Sequence, residues 1–458
     1  MLKKTINFGT DGWRGVIGED FTFENLGRLA GRIIAYMADK GKKVCIGYDN
    51  RFLSPEYADF FAAALEKSGL EVDLSGQAVT TPCVSHRTNR KGYDLGIMIT
   101  ASHNPPHYNG IKFKESYGGS ASTEVVNDII RDLDKMNYEG ETTELAFQGN
   151  PADWGPEYED EFIKILPAGD LKVVCDFMHG TGYPSFENIL KKKGYDIVSL
   201  RQGRDPLFGG INPEPKPAAL GELARTVKET NADIGFAFDG DGDRIAAVDE
   251  KGRLLSSQVI LSVIAYDMLE QGKKGAIVKT VAGTYLIDRM AKKYNIDFRV
   301  VPIGFKNICP EILKGGVLAA GEESGGIGFG DYLPERDAVN TAVRIIEIIR
   351  RRGRLMGELW DDVSSEFGGS CYLREDFEIP AGGGIEKMLA RIKDGIKKVR
   401  FPYKITDILE LDGIRINMEE ERWLLLRPSG TEPALRLYAE TESEKSTKKL
   451  LEIGKELI

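Results

Sequence analysis

The segment DLKVVCDFMHG at residues 170–180 has the pattern of a strand that is buried on both faces and ends in a loop of small and polar residues. Two other segments, KKVCIGYDN at 42–50 and KKGAIVKTVAG at 273–283, share its lysine, its short apolar run and its loop. Continuous apolar runs of this length are typical of strands in parallel or mixed sheets. Their separation of roughly 100–130 residues is too long for a solenoid and indicates three related domains.

Helical patterns lie between these strands. The segments at 24–41 and 338–353 place apolar residues on one helix face, so strand–helix alternation predicts α/β domains with mixed sheets between helices. The last ~90 residues combine helices with short strands and turns, which predicts an α+β domain with an antiparallel sheet. Glycine- and proline-rich stretches and changes of composition indicate four domains, at 1–148, 149–252, 253–368 and 369–458.

The composition excludes several classes of protein. With 61 basic and 71 acidic side chains, a net charge of −10 and 41% hydrophobic residues, the chain is not low-complexity, collagen-like or a disulfide scaffold. The acidic balance argues against nucleic-acid and anionic-membrane partners, and no apolar stretch approaches the about 18 residues of a membrane span. The polar N-terminus is unlike a signal peptide, and five scattered cysteines indicate reduced thiols, so we expect a cytoplasmic protein.

The segment IGFAFDGDGDRIAAVDE at 234–250 carries three aspartates at alternate positions directly after an apolar strand. Asp239, Asp241 and Asp243 can converge on one hard divalent cation, because the intervening glycines let the loop curl. An EF-hand would need glycine where Arg244 stands and helical flanks, so we reject it. An acidic surface turn is disfavoured because three adjacent carboxylates repel one another without a cation.

A second strand, in LGIMITASHNPPHYNGIKFK at 95–114, ends at a serine that is followed by a histidine. Ser102 is therefore a candidate nucleophile or phosphorylated residue, with Lys112 nearby. No GxSxG motif indicates a hydrolase elbow, and the prolines exclude a helical zinc site formed by His103 and His107. Taken alone, the SHNPP segment is equally typical of an ordinary turn.

Three glycine-rich loops have the composition of anion or sugar sites, and glycine makes up 52 of the 458 residues. FGTDGWRGVIG at 8–18 and LLLRPSGTEPALR at 424–436 offer arginines, hydroxyls and backbone N–H groups, which suit phosphate. AAGEESGGIGFG at 319–330 instead presents Glu322, whose carboxylate suits the hydrogen-bond donors of a sugar. Each loop alone is a weak signal, because glycine-rich loops are common.

Together, FGTDGWRG, TASHNPPHYNGIKF, DGDGDR, GEESGG and RPSGTEP resemble the five signatures of the α-D-phosphohexomutase superfamily, in the family's order from near residue 8 to near residue 433. The resemblance implies three related α/β domains and a C-terminal α+β domain of TATA-binding-protein-like fold. It also implies an isomerase, a phosphoglucomutase or phosphomannomutase, that interconverts hexose 1-phosphate and hexose 6-phosphate. The reaction would use a phosphoserine enzyme and a bisphosphorylated hexose as intermediate and activator.

The same resemblance assigns roles to residues of this sequence. Ser102 would be phosphorylated, and one Mg²⁺ per chain would bind an oxygen of that phosphate together with Asp239, Asp241 and Asp243. The implied catalytic positions are Ser102, His103, Lys112, Arg14 and Arg244. Lys112 would be a proton carrier, a role that requires a depressed pKa. The implied substrate contacts are Glu322, Ser324 and Lys306 for the sugar, and Arg427, Ser429, Gly430 and Thr431 for the phosphate.

Sugar preference rests on two segments. GEESGG is closer to the glucose-type GEES pattern than to the GEMSGH of many dual phosphomannomutases/phosphoglucomutases, and VPIGFKNI at 301–308 resembles the glucose-type GFK segment. We therefore expect glucose to be favoured, with mannose as a second sugar. Phosphoglucosamine mutase and metal-dependent sugar phosphatase are the alternatives. The partner is expected to be a phosphosugar, with the chain a monomer or homodimer whose last domain acts as a lid.

Overall fold

The computed structural model describes residues 6–9, 11–136, 146–378, 384–429 and 434–458, with only the backbone of Glu386. Within these ranges four sheets, each covered by helices, follow one another along the chain. The predicted fold class, three related α/β domains and a C-terminal α+β domain, is confirmed. The likeness of the last domain to the TATA-binding protein and the predicted domain boundaries stay predictions.

Domain I, residues 6–136, consists of strands β1 (Phe8–Gly9), β2 (Gly12–Val16), β3 (Lys43–Tyr48), β4 (Glu71–Leu74), β5 (Leu95–Ile99) and β6 (Tyr108–Glu115), and helices α1 (Phe23–Met37), α2 (Ser54–Lys67), α3 (Thr81–Arg90) and α4 (Thr123–Ile130). The sheet order is β1-β2-β6-β5-β3-β4. Strand β3 pairs in parallel with β4 and β5, and β6 is antiparallel to β5 and β2.

Domain II, residues 155–255, consists of helix α5 (Gly155–Ile165), strand β7 (Lys172–Asp176), helix α6 (Ser185–Lys192), strand β8 (Asp196–Leu200), helix α7 (Gly221–Thr230), and strands β9 (Ile234–Phe238), β10 (Ile245–Asp249) and β11 (Leu254–Leu255). The sheet order is β11-β10-β9-β7-β8. Strand β7 is parallel to β8 and β9, and β10 is antiparallel to β9.

Domain III, residues 257–367, consists of helix α8 (Ser257–Glu270), strand β12 (Ala276–Thr280), helix α9 (Leu286–Tyr294), strand β13 (Phe298–Val301), helix α10 (Phe305–Leu313), strands β14 (Val317–Gly321) and β15 (Ile327–Phe329), and helices α11 (Ala338–Arg352) and α12 (Met356–Phe367). The sheet order is β13-β12-β14-β15. Strand β12 is parallel to β13 and β14, and β15 is antiparallel to β14.

The three α/β sheets therefore share one topology. In each sheet a central strand is flanked by the next two strands in parallel, and a fourth strand returns antiparallel: β4-β3-β5-β6, β8-β7-β9-β10 and β13-β12-β14-β15. The turn that joins the last two strands of each set is equivalent in the three domains. It carries Ser102 in domain I, the three aspartates in domain II and Glu322 in domain III.

Domain IV, residues 371–458, is an antiparallel sheet of order β16-β20-β19-β18-β17. Its elements are β16 (Cys371–Glu378), α13 (Ile385–Ile396), β17 (Ile405–Leu409), β18 (Ile414–Met418), β19 (Trp423–Pro428), β20 (Ala434–Thr441) and α14 (Glu444–Glu456). Leu424 and Leu426 of β19 lie in the apolar cluster under the helices, whereas Trp423 and Leu425 join the cluster that contains residues of the other three domains. Alternation along the strand thus leaves one sheet face to pack against domain III.

All five cysteines are free thiols, four of them buried and Cys371 half-buried, as expected for reduced cysteines. Among the helices in the described segments, none combines the length and the apolar character that a membrane crossing requires.

Asp337 links domains II and III. Its carboxylate accepts a hydrogen bond from the backbone N of Asn340 (2.9 Å) at the start of α11 and from the Tyr158 hydroxyl of α5 (2.9 Å). Burial raises the pKa of Asp337 to about 7, although these donors favour the charged form. The folded protein therefore binds this proton more tightly than the unfolded chain, and the resulting stabilisation is lost as the pH rises through about 7.

We predict that Asp337→Asn stabilises the protein more at pH 8.5 than at pH 5. The amide keeps a hydrogen-bond acceptor for both donors but removes the buried charge, so the melting temperature should rise by roughly 2–4 °C at the higher pH. Calorimetry of both proteins at the two pH values measures the difference. An equal change at both pH values would contradict the assignment.

Candidate active site

The turn after β5 presents Ser102 to domain II. The backbone N of Ser102 donates to Thr100 Oγ1 at 2.8 Å, and Ser102 has a left-handed conformation with φ of 54°, which is uncommon for a residue with a Cβ. Its buried hydroxyl donates to Asp239 Oδ2 at 3.0 Å and lies 3.3 Å from His103 Nδ1. The serine oxygen is thus held against the aspartate loop.

Arg51, which the sequence analysis missed, fixes the serine turn. Its buried guanidinium donates at 2.7–3.0 Å to the backbone carbonyls of Ser102, Asn104, Pro105 and Tyr108. Asp49 Oδ2 lies 3.2 Å from Arg51 Nε and balances the charge. The signal in the sequence was weak: an arginine placed just after a buried strand.

The three aspartates of the β9–β10 turn are fully buried, and one carboxylate oxygen of each lies within 4.8 Å of the other two. Asp239 Oδ1 accepts hydrogen bonds from the backbone N of Asp243 and of Arg244, at 3.0 and 3.1 Å. In the described part of the chain, Oδ1 of Asp241 and Oδ1 of Asp243 have no hydrogen-bond partner. Buried carboxylate oxygens without donors are costly unless a cation binds them. The donor set therefore fits a hard divalent cation.

The neighbouring negative charges of the three aspartates affect the pKa of Asp239. Burial raises that pKa well above its ordinary value, and the neighbouring carboxylates of Asp243 and Asp241 raise it further. A carboxylate in such a position either keeps a proton or requires a cation beside it.

Lys112 of β6 places a positive charge beside the aspartates of the β9–β10 turn. Its Nζ lies 2.8 Å from Oδ2 of Asp241 and of Asp243, and 3.0 Å from Asp11 Oδ2. Burial lowers the pKa of Lys112, but these carboxylates raise it more, so that the pKa lies well above the ordinary value. The proton-carrier role that the resemblance implies for Lys112 requires a depressed pKa. The structure gives the opposite direction: the pKa of Lys112 is raised, so Lys112 is held as an ammonium whose charge pairs with these carboxylates.

Arg336, after β15, is a second buried cation that the sequence analysis missed. Its guanidinium contacts Asp11 and lies 2.8 Å from Asp243 Oδ2 and 3.1 Å from Glu322 Oε2. It therefore joins motif segments of all three α/β domains. The charged run at 335–337 was the signal available in the sequence, and such runs usually lie at the surface.

Glu322 begins the β14–β15 turn and is buried. Burial raises the pKa of Glu322 to about 7; Arg336 opposes this shift, and Glu323 adds to it. The turn is also bonded to domain II, because the backbone N of Ile245 donates to the carbonyl of Gly325 at 3.1 Å. The carboxylate predicted to hold the sugar is thus fixed beside the aspartate loop.

The other candidate catalytic residues border the serine. Arg14 donates to Asn104 Oδ1 at 2.7 Å, and Arg244 Nε lies 3.7 Å from Asp243 Oδ1. Burial lowers the pKa of His103 well below its ordinary value, and the positive charges of Arg244 and Arg14 lower it further. The imidazole of His103 is therefore neutral near pH 7.

The remaining sugar candidates lie on domain III. Lys306 of α10 lines a cavity together with Asp11 and Lys112, which places its side chain at the edge of the cation and carboxylate cluster. Ser324 is half-buried in the β14–β15 turn.

The candidate phosphate residues lie on domain IV. Arg427 of β19 is directly opposite Arg436 of β20, so the two guanidinium side chains share one face of the sheet. Ser429 is buried just beyond β19. Gly430 and Thr431, which were also predicted to bind phosphate, lie outside the described residues.

Family models match the chain in four consecutive pieces. The phosphoglucomutase/phosphomannomutase alpha/beta/alpha domains I, II and III match residues 5–139, 157–252 and 256–367, and the C-terminal domain of the same family matches residues 383–453. The chain belongs to the phosphoglucomutase/phosphomannomutase family. The resemblance drawn from the five motifs is confirmed, and the protein is an isomerase of the phosphohexomutase superfamily.

Relatives of the family member described here carry more than one name. A "Probable phosphoglucosamine mutase" from Methanosphaera stadtmanae is 33% identical and covers 98% of both chains. A "Phosphoglucomutase/phosphomannomutase" from Thermococcus kodakarensis is 29% identical, also over 98% of each chain. A solved structure from Thermus thermophilus, described as a "putative phosphomannomutase", is 30% identical with a TM-score of 0.88, over 100% of this chain and 99% of that one.

We predict that Mg²⁺ raises the melting temperature of this phosphohexomutase. A ligand that binds only the folded protein at a hundred times its Kd stabilises by about 2.7 kcal/mol. Asp241→Asn removes one of the unpartnered oxygens, so the shift should shrink or vanish. Calorimetry with Mg²⁺ and with excess chelator measures both.

The matched control is Glu229→Gln, which removes an exposed carboxylate on α7 of the same domain. This variant should keep the full Mg²⁺ shift. A shift of the same size in Asp241→Asn would contradict the metal site.

Proposed function

We propose that this family member interconverts hexose 1-phosphate and hexose 6-phosphate, with glucose favoured over mannose, through phosphorylated Ser102. The observation that carries the proposal is the 3.0 Å contact between the Ser102 hydroxyl and Asp239, beside two buried carboxylate oxygens that have no donor among the described residues. A phosphoryl group on this serine would meet the same cation that the aspartates require.

Mg²⁺ is the proposed cation. Asp239, Asp241, Asp243 and an oxygen of phosphorylated Ser102 would hold it, and when bound it would neutralise charge on the phosphoryl group during transfer. Arg244 and Arg14 add positive charge at His103, the residue next to this serine. Burial of the reacting groups between the domains would exclude water, so that transfer to a sugar is favoured over hydrolysis.

The reaction proposed consists of two transfers. In the first, an oxygen of the sugar hydroxyl bonds to phosphorus, the bond from phosphorus to Ser102 Oγ breaks, and the proton of the sugar hydroxyl ends on Ser102 Oγ. In the second, Ser102 Oγ bonds to phosphorus of the other phosphoryl group, the bond from that phosphorus to the sugar oxygen breaks, and the serine proton ends on the released sugar oxygen. Lys112, held as an ammonium, would stay charged through both transfers and would stabilise the negative charge of the transferring phosphoryl group. No water is consumed, and the enzyme returns to its phosphorylated form.

The sugar would have to bind in two orientations, because its two ends are phosphorylated in turn. Glu322, Ser324 and Lys306 are proposed to hold the hydroxyls, and Arg427, Ser429, Gly430 and Thr431 to hold the phosphate that does not react. A carboxylate can accept hydrogen bonds from several hydroxyls, and an amine can donate to several. These side chains can therefore bind the sugar in both orientations.

Glucosamine is the competing sugar. The Methanosphaera stadtmanae relative is named a phosphoglucosamine mutase, whereas the GEES and GFK segments favour glucose. The deciding measurement is relative kcat/KM for glucose, mannose and glucosamine 1-phosphates, with a bisphosphorylated hexose present. We expect the highest kcat/KM for glucose 1-phosphate. A kcat/KM tenfold higher for glucosamine 1-phosphate would replace the proposed glucose preference with a preference for glucosamine.

Ser102→Ala should lower the rate of isomerisation by at least about 10³-fold, because no other described group takes the place of the phosphoryl carrier. A coupled assay for hexose 6-phosphate measures this, and inorganic phosphate is measured in parallel. Release of phosphate without isomerisation in the wild type would establish a sugar phosphatase instead. Unchanged turnover in Ser102→Ala would refute the proposed mechanism.

The pKa of Glu322 generates a pH prediction. Because this pKa is raised to about 7, the carboxyl is protonated below that pH and loses its capacity to accept two sugar hydrogen bonds. We expect kcat/KM to fall about tenfold from pH 8 to pH 6. The Glu322→Gln variant should be slower, and its kcat/KM should no longer fall between pH 8 and pH 6 because of this carboxyl. Both proteins are assayed with the same substrate, so the titration of the substrate phosphate affects them equally. An identical profile in the variant would exclude Glu322 as its origin.

A further inference from the structure

The turn between β17 and β18 contacts both the candidate phosphate residue Arg427 and the segment of domain III that leads to Lys306. Asp412 Oδ2 accepts a hydrogen bond from Arg427 Nε at 2.8 Å. The same oxygen accepts a hydrogen bond from the backbone N of Ile303 in domain III at 2.9 Å. A single carboxylate oxygen thus joins the arginine of the phosphate loop to the segment that leads to Lys306.

The close approach of this turn to β19 depends on Gly413. Its φ of 93° is unfavourable for other residues, and a Cβ at this position would lie 2.4 Å from the carbonyl oxygen of Leu426 and 2.9 Å from Arg427 Cα. The missing side chain lets the turn lie against the strand, and Asp412 is placed beside the guanidinium as a result.

Both partners of Asp412 are held in place. The Arg427 side chain is 8% exposed and that of Asp412 is 23% exposed, so the ion pair is sheltered enough to fix a rotamer. On the other side, Ile303 precedes Gly304, which has φ of 118° at the start of α10, and the buried Phe305 lies under the guanidinium of Arg336. The carboxylate therefore connects two rigid segments.

We propose that Asp412 is a positioning residue that sets the direction of the Arg427 guanidinium and ties the phosphate loop of domain IV to the 303–306 segment of domain III. With Nε engaged by Asp412, the terminal nitrogens of Arg427 point their donors toward a phosphate group. The proposal rests on the proposed function, because Arg427 is taken to hold the substrate phosphate that does not react.

The first test is Asp412→Asn, which preserves the shape but removes the charge. If the arginine binds phosphate equally in the ground state and the transition state, its misalignment raises KM about five- to tenfold and leaves kcat within about twofold. Asp412→Glu, which restores the charge, should recover part of the loss. Glu410→Gln is the matched control, because Glu410 lies in the same turn and pairs with the exposed Lys393 at 2.7 Å.

The second test is a double-mutant cycle with Arg427→Lys, which lacks Nε. If Asp412 acts through the guanidinium, Asp412→Asn should raise KM by less than about twofold further in that background. Melting temperatures of all variants show whether each one folds. The cycle compares binding within folded variants, so it separates positioning from general destabilisation.

Three outcomes overturn the inference: an unchanged KM in Asp412→Asn, a loss confined to kcat, or equal effects of Asp412→Asn in both backgrounds. A wild-type protein that isomerises none of the hexose phosphates refutes the proposed function instead. The two failures are therefore distinguishable.

Discussion

Buried charge at the meeting point of three equivalent turns is the constraint on which the arrangement of this protein depends. Asp11, Asp241 and Asp243 share one buried region with the cations Lys112 and Arg336. Neither the carboxylates nor the cations could be buried there without the other, since an unpaired ion in the interior costs several kcal/mol. The domains must therefore close on one another in a register that brings carboxylates and cations into contact.

The repeated topology explains how one fold supplies this cluster. In each α/β sheet the fourth strand is antiparallel and follows a turn at the same edge. The three turns carry different functional residues, namely the serine, the aspartates and the glutamate. The backbone bond from Ile245 to Gly325 and the contact from Ser102 to Asp239 join these turns across domains. Similar domains thus contribute dissimilar chemistry.

Much of this could be predicted from sequence because the motif turns follow apolar strands, and strand ends place their loops at one edge. Arg51, Arg336 and Asp412 escaped prediction for a physical reason. Their importance lies in partners that are distant along the chain, such as the carbonyls around Ser102 or the backbone of Ile303. The raised pKa of Lys112 could not be predicted from the sequence either, because it depends on which carboxylates pack against the Lys112 side chain.

The guanidinium of Arg336 contacts one residue from each of the first three domains. In this respect the chain resembles an oligomer whose subunits have been fused, with the reacting centre at the common interface. No single domain contains a complete constellation, and each carries charges that are balanced only by its neighbours. A protein built in this way gains or loses its chemistry as a whole: a fragment would expose unbalanced ions, and a domain acquired from elsewhere would need matching charges at every contact.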